Sequence, residues 1–296
     1  MSKHTLLFAA LACLGLAAGG APARAETKLT TTVFTASPGG FLVNSTLVAG
    51  EKEAVLIDAQ FSLADAHRLI ASILESKKTL TTVYITHGHP DHYFGLAAIK
   101  QAFPKAKLVT HPAALAEIKK TWQAKVKQWG PMYGALVPAE PALPAVLAAK
   151  SIALEGQTLE IHAPLQGDST DNAYVWIPSI KTVIAGDIVY ANVHVWTRDT
   201  NAEQRKAWIK TLDEVAALGA TTVIAGHKDP KVKDDPSAVK ATREYLEAFD
   251  AAVASSKTAA DVQQKLKARY GGYQLDIILQ LGAEAAFAAP TPPAKK

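Results

Sequence analysis

Four side chains that bind metals well lie within six residues of one another. His87, His89, Asp91 and His92 belong to the run THGHPDH at residues 86–92, which directly follows an apolar segment typical of a buried strand. Imidazole nitrogens and carboxylate oxygens are good ligands for Zn²⁺. Because a loop turns alternate side chains to two sides, we expect His87 and His89 to hold one ion and Asp91 and His92 a second. The alternative, a solvated polar loop, fits poorly with a chain that has only nine histidines.

The run resembles the HxHxDH motif of the metallo-β-lactamase superfamily, and two later segments agree with that family in order. Ala185-Gly186-Asp187 is similar to the strand end that supplies a metal-bridging Asp, and Ala225-Gly226-His227 is similar to the strand that supplies the last His. The resemblance covers about residues 30–255. It implies two divalent ions, Zn²⁺ in the first instance with Mn²⁺ or Fe²⁺ as alternatives. The ligands that it implies are His87, His89, Asp91, His92, Asp187 and His227.

One position departs from the family pattern. The family places a third histidine of the first metal site after a glycine, and the matching segment here is Gly167-Asp168-Ser169. We expect Asp168 to take that ligand position, with His162 on the preceding strand as the competing candidate. A third carboxylate makes the centre less positive, so the pKa of a bound water should lie above the value of about 7 found at strongly acidifying zinc sites. The extra oxygen ligand also shifts the metal preference toward Mn or Fe.

Strands and helices alternate along the chain in a way that positions these segments. The predicted strands span residues 29–35, 41–48, 54–58, 82–86, 108–110, 151–154, 158–163, 173–177, 182–185 and 222–225. The predicted helices span residues 62–76, 94–102, 113–128 and 202–217, and one more begins at Pro236. Together with the resemblance, this order predicts an αββα sandwich, in which two mixed β-sheets pack face to face and helices cover the outer faces.

Residues 1–25 have the pattern of a secretory signal, with Lys3 before an apolar run and the small-x-small sequence Ala23-Arg24-Ala25 at the end. Cleavage there would remove the single Cys, and a thiol-free chain suits an oxidising compartment. We therefore expect a periplasmic or secreted protein without a stable membrane span after the signal is removed. Residues 26–287 should form one domain with an insert at about 120–150, followed by a disordered tail at 288–296.

The composition excludes several other classes of protein. The chain has 296 residues, of which 49% are hydrophobic and 20% charged, so it is globular. A net charge of +4 without a basic stripe argues against a nucleic-acid partner. One Cys cannot support a disulfide scaffold. The sequence does not predict the oligomeric state.

The motif and the resemblance together suggest an exported metal-dependent hydrolase that acts on a small molecule. A metal-bound hydroxide would attack a carbonyl carbon, and Asp91 would orient the nucleophile and shuttle its proton. We expect lactones, esters or related acyl compounds first, because Asp168 departs from a typical β-lactamase, and β-lactam rings as the close alternative. Two further alternatives are a mononuclear iron dioxygenase of sulfur substrates and a metal-free binding protein. The candidate substrate contacts are His194, Trp129 and Tyr133.

Three residues near these segments have expected supporting roles. Asp58 ends a strand close to the metal loop and should orient that loop or a ligating histidine. His111 follows a strand and should be structural. Lys228 directly follows His227, and we expect it to be a solvated lysine. The alternative is that it contacts an anionic group of the substrate.

Overall fold

Two β-sheets form the centre of the structure, a computed structural model that describes residues 28–288. The larger sheet has six strands in the order β1-β2-β3-β4-β5-β6: Thr30–Thr35, Asn44–Ala49, Glu53–Ile57, Thr79–Ile85, Lys107–Thr110 and Ala145–Val146. The second sheet has five strands in the order β12-β10-β9-β8-β7, where β7 to β10 are Ser151–Leu154, Gln157–Leu165, Asn172–Ile177 and Thr182–Ile184, and β12 is Thr222–Ile224. Both sheets contain parallel and antiparallel pairs. Two short strands, β11 (Tyr190–Ala191) and β13 (His227–Lys228), pair beside the second sheet.

Helices connect the strands and cover the sheets. They are α1 (Leu63–Glu75), α2 (Pro90–Tyr93), α3 (Leu96–Ala102), α4 (Pro112–Tyr133), α5 (Ala202–Ala217), α6 (Ser237–Ala254), α7 (Ala259–Tyr270) and α8 (Asp276–Phe287). Ser62 caps α1 by accepting a hydrogen bond from the backbone N–H of Asp65. The helix predicted at 202–217 forms with those bounds.

Three apolar layers confirm the predicted αββα sandwich. The middle layer joins the inner faces of the two sheets, with Val55 and Tyr84 from the first sheet and Leu159 and Val175 from the second. One outer layer packs α1 and α3 on the first sheet, and the other packs α5 and α6 on the second sheet. Parallel strands need crossover connections, and the helices that make them cover the outer faces.

The structure contains short elements that were not predicted, namely β6, β11, β13 and α2. Longer departures from the predicted elements occur in two regions. Residues 129–133 continue α4, although they were expected to begin a long irregular connection. Their apolar side chains explain this, because Trp129 and Tyr133 pack on the core of the first sheet beside Trp122 and Val126 at helical spacing. Helices α7 and α8 were not predicted and add to the layer that covers the second sheet.

The expected signal at 1–25 lies outside the described residues, and so does the expected tail apart from Ala288. Among residues 28–288, no helix combines the length and the hydropathy that a membrane span requires.

Candidate metal centre

Four segments meet at one edge of the sandwich. They are the loop after β4 with the short helix α2, the loop between β8 and β9, the turn after β10, and the start of β13. They bring together all the residues predicted to bind metal: His87, His89, Asp91, His92, Asp168, Asp187 and His227. Five of the seven are more than nine-tenths buried, and the side chains of His89 and Asp91 are 14% exposed, as expected for a centre that largely excludes bulk water.

These side chains form two groups of four that share Asp187. The first group is His87, His89, Asp168 and Asp187, and the second is Asp91, His92, Asp187 and His227. Within each group, one nitrogen or oxygen atom from each residue lies within 4.8 Å of the others. A carboxylate with two oxygens can bridge two ions, so the arrangement has the form of a dinuclear centre.

The spacing of the ligand atoms fits divalent cations. Ligands at about 2.0–2.2 Å in a tetrahedral shell lie about 3.3–3.6 Å from one another. In the second group, His92 Nε2 lies 3.1 Å from Asp187 Oδ1 and His227 Nε2 lies 3.1 Å from Asp91 Oδ2. In the first group, His87 Nε2 lies 3.8 Å from both Asp168 Oδ1 and Asp187 Oδ2.

The outer ring nitrogen of each histidine has its own partner, which leaves the inner nitrogen for a cation. His92 Nδ1 lies 2.8 Å from Asp58 Oδ2, and His227 Nδ1 lies 2.7 Å from the carbonyl oxygen of Phe41. His87 Nδ1 lies 3.0 Å from the hydroxyl of Thr86. Among the described residues, the buried Nε2 atoms of His87 and His92 have no hydrogen-bond partner. Buried polar atoms are rarely left so, and a bound cation satisfies them.

Asp58 forms hydrogen bonds with the outer side of both ligand groups, which confirms that it orients the metal loop and a ligating histidine. It is 2% exposed, and its carboxylate accepts hydrogen bonds from the Thr86 backbone N–H at 2.8 Å and from His92. The Thr86 hydroxyl also donates to it at 2.9 Å and stands beside His87 Nδ1. One buried carboxylate therefore sets the ring orientation of a histidine in each group.

Asp168, and not His162, lies with the first group. Asp168 is fully buried, its Oδ2 is 2.8 Å from His89 Nδ1, and its Oδ1 accepts a hydrogen bond from Asn172 Nδ2 at 2.8 Å. His162 lies on β8 and stacks on Tyr174 at a centroid distance of 4.5 Å, with 38% of its side chain exposed.

Glycine precedes four of the ligands, and at Gly186 and Gly226 the backbone conformation or the space requires it. Gly186 has a φ of +50°, a conformation that side chains other than glycine rarely adopt. A Cβ atom at Gly226 would overlap the carboxylate of Asp187. Gly226 thus lets the strand that carries His227 approach Asp187 closely.

Comparison with known proteins agrees with this geometry. Residues 38–227 match the sequence profile of the metallo-beta-lactamase superfamily, which is more than half of the chain. The chain belongs to the metallo-β-lactamase superfamily. This membership makes it a metal-dependent hydrolase with two candidate metal sites.

Individual relatives of this superfamily member are distant. "Metallo-beta-lactamase type 2" from Bacteroides fragilis is 24% identical over 189 residues, 63% of this chain and 69% of that protein. The uncharacterized protein YobT from Bacillus subtilis is 37% identical over 73 residues, 24% of this chain and 30% of that protein. A metallo-beta-lactamase family protein from Thermus thermophilus aligns with a TM-score of 0.60 at 21% identity, over 87% of this chain and 91% of that one. A metallo-beta-lactamase from Pontibacter korlensis aligns with a TM-score of 0.56 at 21% identity, over 76% and 97%. The two structures show the fold alone.

Burial and neighbouring charged groups shift the pKa values of the metal-binding side chains. Burial raises the pKa of Asp168 to about 7. Burial alone would lower the pKa of His227, but Asp187 and Asp91 raise it to about 10. Burial and the neighbouring His92 hold the pKa of His87 well below its usual range. Cations that bind to such ligands displace protons from them.

Tyr190 is a site residue that the sequence did not reveal. Its hydroxyl donates to Asp187 Oδ2 at 2.8 Å and lies 3.3 Å from Asp168 Oδ2, and its ring stacks on His227 at 5.3 Å. Burial, Asp168 and Asp187 hold its pKa well above the usual range. The sequence indicates Tyr190 only by its position three residues after Asp187. The turn after β10 in the structure shows that its ring faces the ligands.

The ligands form the base of an open cleft, a concave position typical of small-molecule sites. Of the predicted substrate contacts, His194 and Trp129 line this cleft. Tyr133 does not; its ring packs on Phe61 at 4.8 Å. Lys228 also lies elsewhere, because its Nζ forms an ion pair with Asp234 at 2.6 Å.

Charged residues that were not predicted line the cleft beside the first ligand group. Lys125, on α4, donates from Nζ to the carbonyl oxygen of Gly88 at 2.7 Å. Asp199 lies 3.5 Å from His89 Nε2, and its Oδ2 accepts a hydrogen bond from Trp196 Nε1 at 2.7 Å. Burial alone would raise the pKa of Asp199, but its hydrogen bond with His89 lowers it to about 2. Asp199 thus faces the outer ring nitrogen of His89, at a longer distance than Asp58 from His92.

Proposed function

We propose that this metallo-β-lactamase superfamily protein hydrolyses lactones, esters or related acyl compounds, with β-lactams as the second candidate. The observation that carries this proposal is the pair of ligand groups sharing Asp187 at the base of a cleft, one wall of which is formed by apolar side chains such as Trp129 and Trp196. A mononuclear iron centre would need only one such group, so the shared carboxylate supports two ions over one. The cleft suits a neutral apolar substrate with one polar reacting bond.

The residues of the centre have separable tasks in this reaction. Two bound divalent ions would supply an acidified water and polarise the substrate carbonyl. The Asp91 carboxylate lies on the cleft lining and remains partly exposed, so it can orient the attacking water and accept its proton. Tyr190 also lines the cleft, and its phenol O–H points to Asp187 beside the metal ligands. By turning from Asp187, this O–H could donate a hydrogen bond to the oxyanion that would form at the substrate carbonyl.

Zn²⁺ is the proposed metal, because each group combines two histidines with two carboxylates. The additional carboxylate of Asp168 leaves Mn²⁺ or Fe²⁺ as alternatives. Metal analysis of the purified protein tests this assignment. Two zinc ions per chain would support it, and one iron per chain without zinc or manganese would refute both the metal and the hydrolase proposal.

β-Lactam hydrolysis is the second candidate because of two cations on the cleft lining. Lys125 and Arg198 both face the cleft and could meet the carboxylate that β-lactam antibiotics carry. The Bacteroides fragilis relative bears the name metallo-beta-lactamase type 2, although only 24% of the aligned residues are identical.

A turnover screen separates the candidates. The full chain, supplied with Zn²⁺ or Mn²⁺, is assayed against γ-lactones, 4-nitrophenyl esters, the β-lactam nitrocefin and phosphoesters. Higher kcat/KM on lactones or esters than on nitrocefin supports the first candidate, and the reverse order supports the second. His89→Ala should lose metal and turnover, whereas the control His162→Ala, which changes a partly exposed histidine away from the ligands, should keep both. Equal activity of the two variants would refute the metal-centred mechanism.

Export to the periplasm or the outside of the cell is a separate proposal, which the leader pattern at residues 1–25 supports. The mass and N-terminal sequence of the mature protein from a cell fraction test it. A chain that begins at Glu26 in the periplasm or medium is expected, and an uncleaved cytosolic chain would refute it.

A further inference from the structure

A segment outside the family match forms part of the cleft wall. The superfamily profile ends at His227, whereas Leu275 and Ile278 lie at the start of α8 and line the same cleft as the metal ligands. Other apolar side chains on the lining are Phe41, Trp129 and Trp196. Leu275 and Ile278 therefore extend an apolar surface that begins at the catalytic centre.

This wall is held firmly in place. The backbone of Gln274 pairs with the segment after β11: its N–H donates to the Asn192 carbonyl at 3.1 Å, and its carbonyl accepts from the His194 N–H at 3.0 Å. His194 is itself buried, with Nδ1 2.9 Å from the hydroxyl of Tyr245 on α6. The wall is thus fixed both to the strand that follows the turn of Asp187 and to the C-terminal helices.

Leu275 adopts an unusual backbone conformation at this point. Its φ is +67° and its ψ is 50°, in the left-handed region that residues other than glycine seldom adopt. Glycine or asparagine would fit here more easily. An apolar side chain kept in a strained conformation on a cleft wall points to a role for that side chain in binding.

We propose that Leu275 and Ile278 form an apolar subsite that binds the hydrocarbon chain of the acyl substrate. This inference rests on the proposed acyl hydrolase function and adds the substrate class, which is a lactone or ester with a medium-length alkyl chain. The polar reacting bond then lies at the ligands, and the chain extends along the wall toward α8. Each methylene buried there should raise kcat/KM about fourfold.

The test uses the metal-loaded full chain and the 4-nitrophenyl esters of acetate, butyrate, hexanoate and octanoate. In the wild type, kcat/KM should rise with chain length by about two- to fourfold for each methylene that the wall covers. Ile278→Ala should reduce this dependence to less than twofold. Leu275→Asn should do the same while preserving the fold, because asparagine tolerates the left-handed conformation.

Ile277→Ala is the matched control. Ile277 is the neighbouring residue on α8, but 46% of it is exposed and it does not line the cleft, whereas Ile278 is 6% exposed and lines it. The control should keep the wild-type dependence on chain length. Similar slopes in the wild type, Ile278→Ala and Leu275→Asn would overturn the subsite, and so would a flattening that Ile277→Ala reproduces.

A binding measurement separates this inference from the proposed function. The dissociation constants of butanoate and octanoate for the metal-loaded protein are measured by calorimetry. Tighter binding of octanoate that Ile278→Ala abolishes would support the subsite even in a protein that cleaves no ester, a result that would refute the proposed function alone. Equal binding of the two carboxylates to the wild type would overturn the subsite.

Discussion

Asp58 touches no cation in the proposed centre, yet its replacement by asparagine should weaken metal binding. The carboxylate accepts from His92 Nδ1 through one oxygen and from the Thr86 N–H through the other, both at 2.8 Å. An amide of the same shape has only one oxygen. If that oxygen keeps the Thr86 N–H, the amide N–H₂ faces His92 Nδ1 and favours the tautomer that is protonated at Nε2. That tautomer cannot bind a cation.

The size of the effect follows from one lost hydrogen bond. If the amide of the Asp58→Asn side chain is turned over, its oxygen again accepts from His92 Nδ1, but its N–H₂ group then faces the Thr86 N–H, which is also a donor. One buried donor is therefore unsatisfied in either orientation. The cost of an unsatisfied buried group is about 1–3 kcal/mol. Metal affinity should therefore fall about 10- to 100-fold, which is the usual range for partners behind a ligating histidine. The second ligand group should be affected more than the first, because Asp58 reaches His87 only through the Thr86 hydroxyl.

Titration of each protein against a competing chelator at constant pH measures this loss. Asp65→Asn is the control, since Asp65 is equally buried, at 1% exposed, but lies in the first turn of α1 and accepts from the hydroxyls of Ser37 and Ser62. It should lower the melting temperature and leave metal affinity unchanged. Wild-type affinity for both ions in Asp58→Asn would refute the tautomer argument, and an equal loss in Asp65→Asn would assign the effect to general destabilisation.

Three further substitutions test other parts of the centre. Asp168→Ala should lower the affinity for one of the two ions by about 100-fold, while His162→Ala leaves the metal content unchanged. Metal loss in His162→Ala alone would show that the ligand assignment is wrong. Tyr190→Phe removes the O–H donor that is proposed for the oxyanion, and a hydrogen bond to a charged group is worth about 1.5–3 kcal/mol, so kcat should fall about 10- to 100-fold with both ions retained. An unchanged kcat would show that the hydroxyl serves only its hydrogen bond to Asp187. Burial lowers the pKa of His111, so the folded state resists its protonation and stability falls as pH drops below the unfolded value of about 6.5. In metal-free protein, the melting temperature of His111→Asn should fall less between pH 7.5 and 5.5 than that of the wild type, and equal falls would refute this.

The metal ligands could be predicted because their signals are local. Four of them lie in one loop, where spacing alone decides which side chains share a side. Asp187 and His227 each follow a glycine at a strand end, and the structure explains both glycines by the close approach of the two segments. The strands and the helices up to α6 were predictable for the same reason, since their apolar periodicity is contained within each segment.

Residues that reach the centre from far along the chain could not be predicted in this way. Leu275 lies 48 residues after the last ligand, and only the docking of α8 brings it to the cleft. Lys125 was part of a helix whose orientation the sequence does not determine. Helix α7 is different, because the capping box of Thr258 and Asp261 is a local signal that the sequence does contain.

The aspartate at position 168 is matched by its surroundings and is not an isolated exchange. With two divalent cations, a third carboxylate lowers the net charge of the ligand set by one relative to a histidine at the same position. Asn172 and Tyr190 donate to this carboxylate or stand beside it, at 2.8 and 3.3 Å. The ammonium of Lys125, bound to the Gly88 carbonyl inside the HxHxDH loop, adds one positive charge next to the same ligand group. The ammonium of Lys125 thus offsets, next to the first ligand group, the negative charge that Asp168 brings to it.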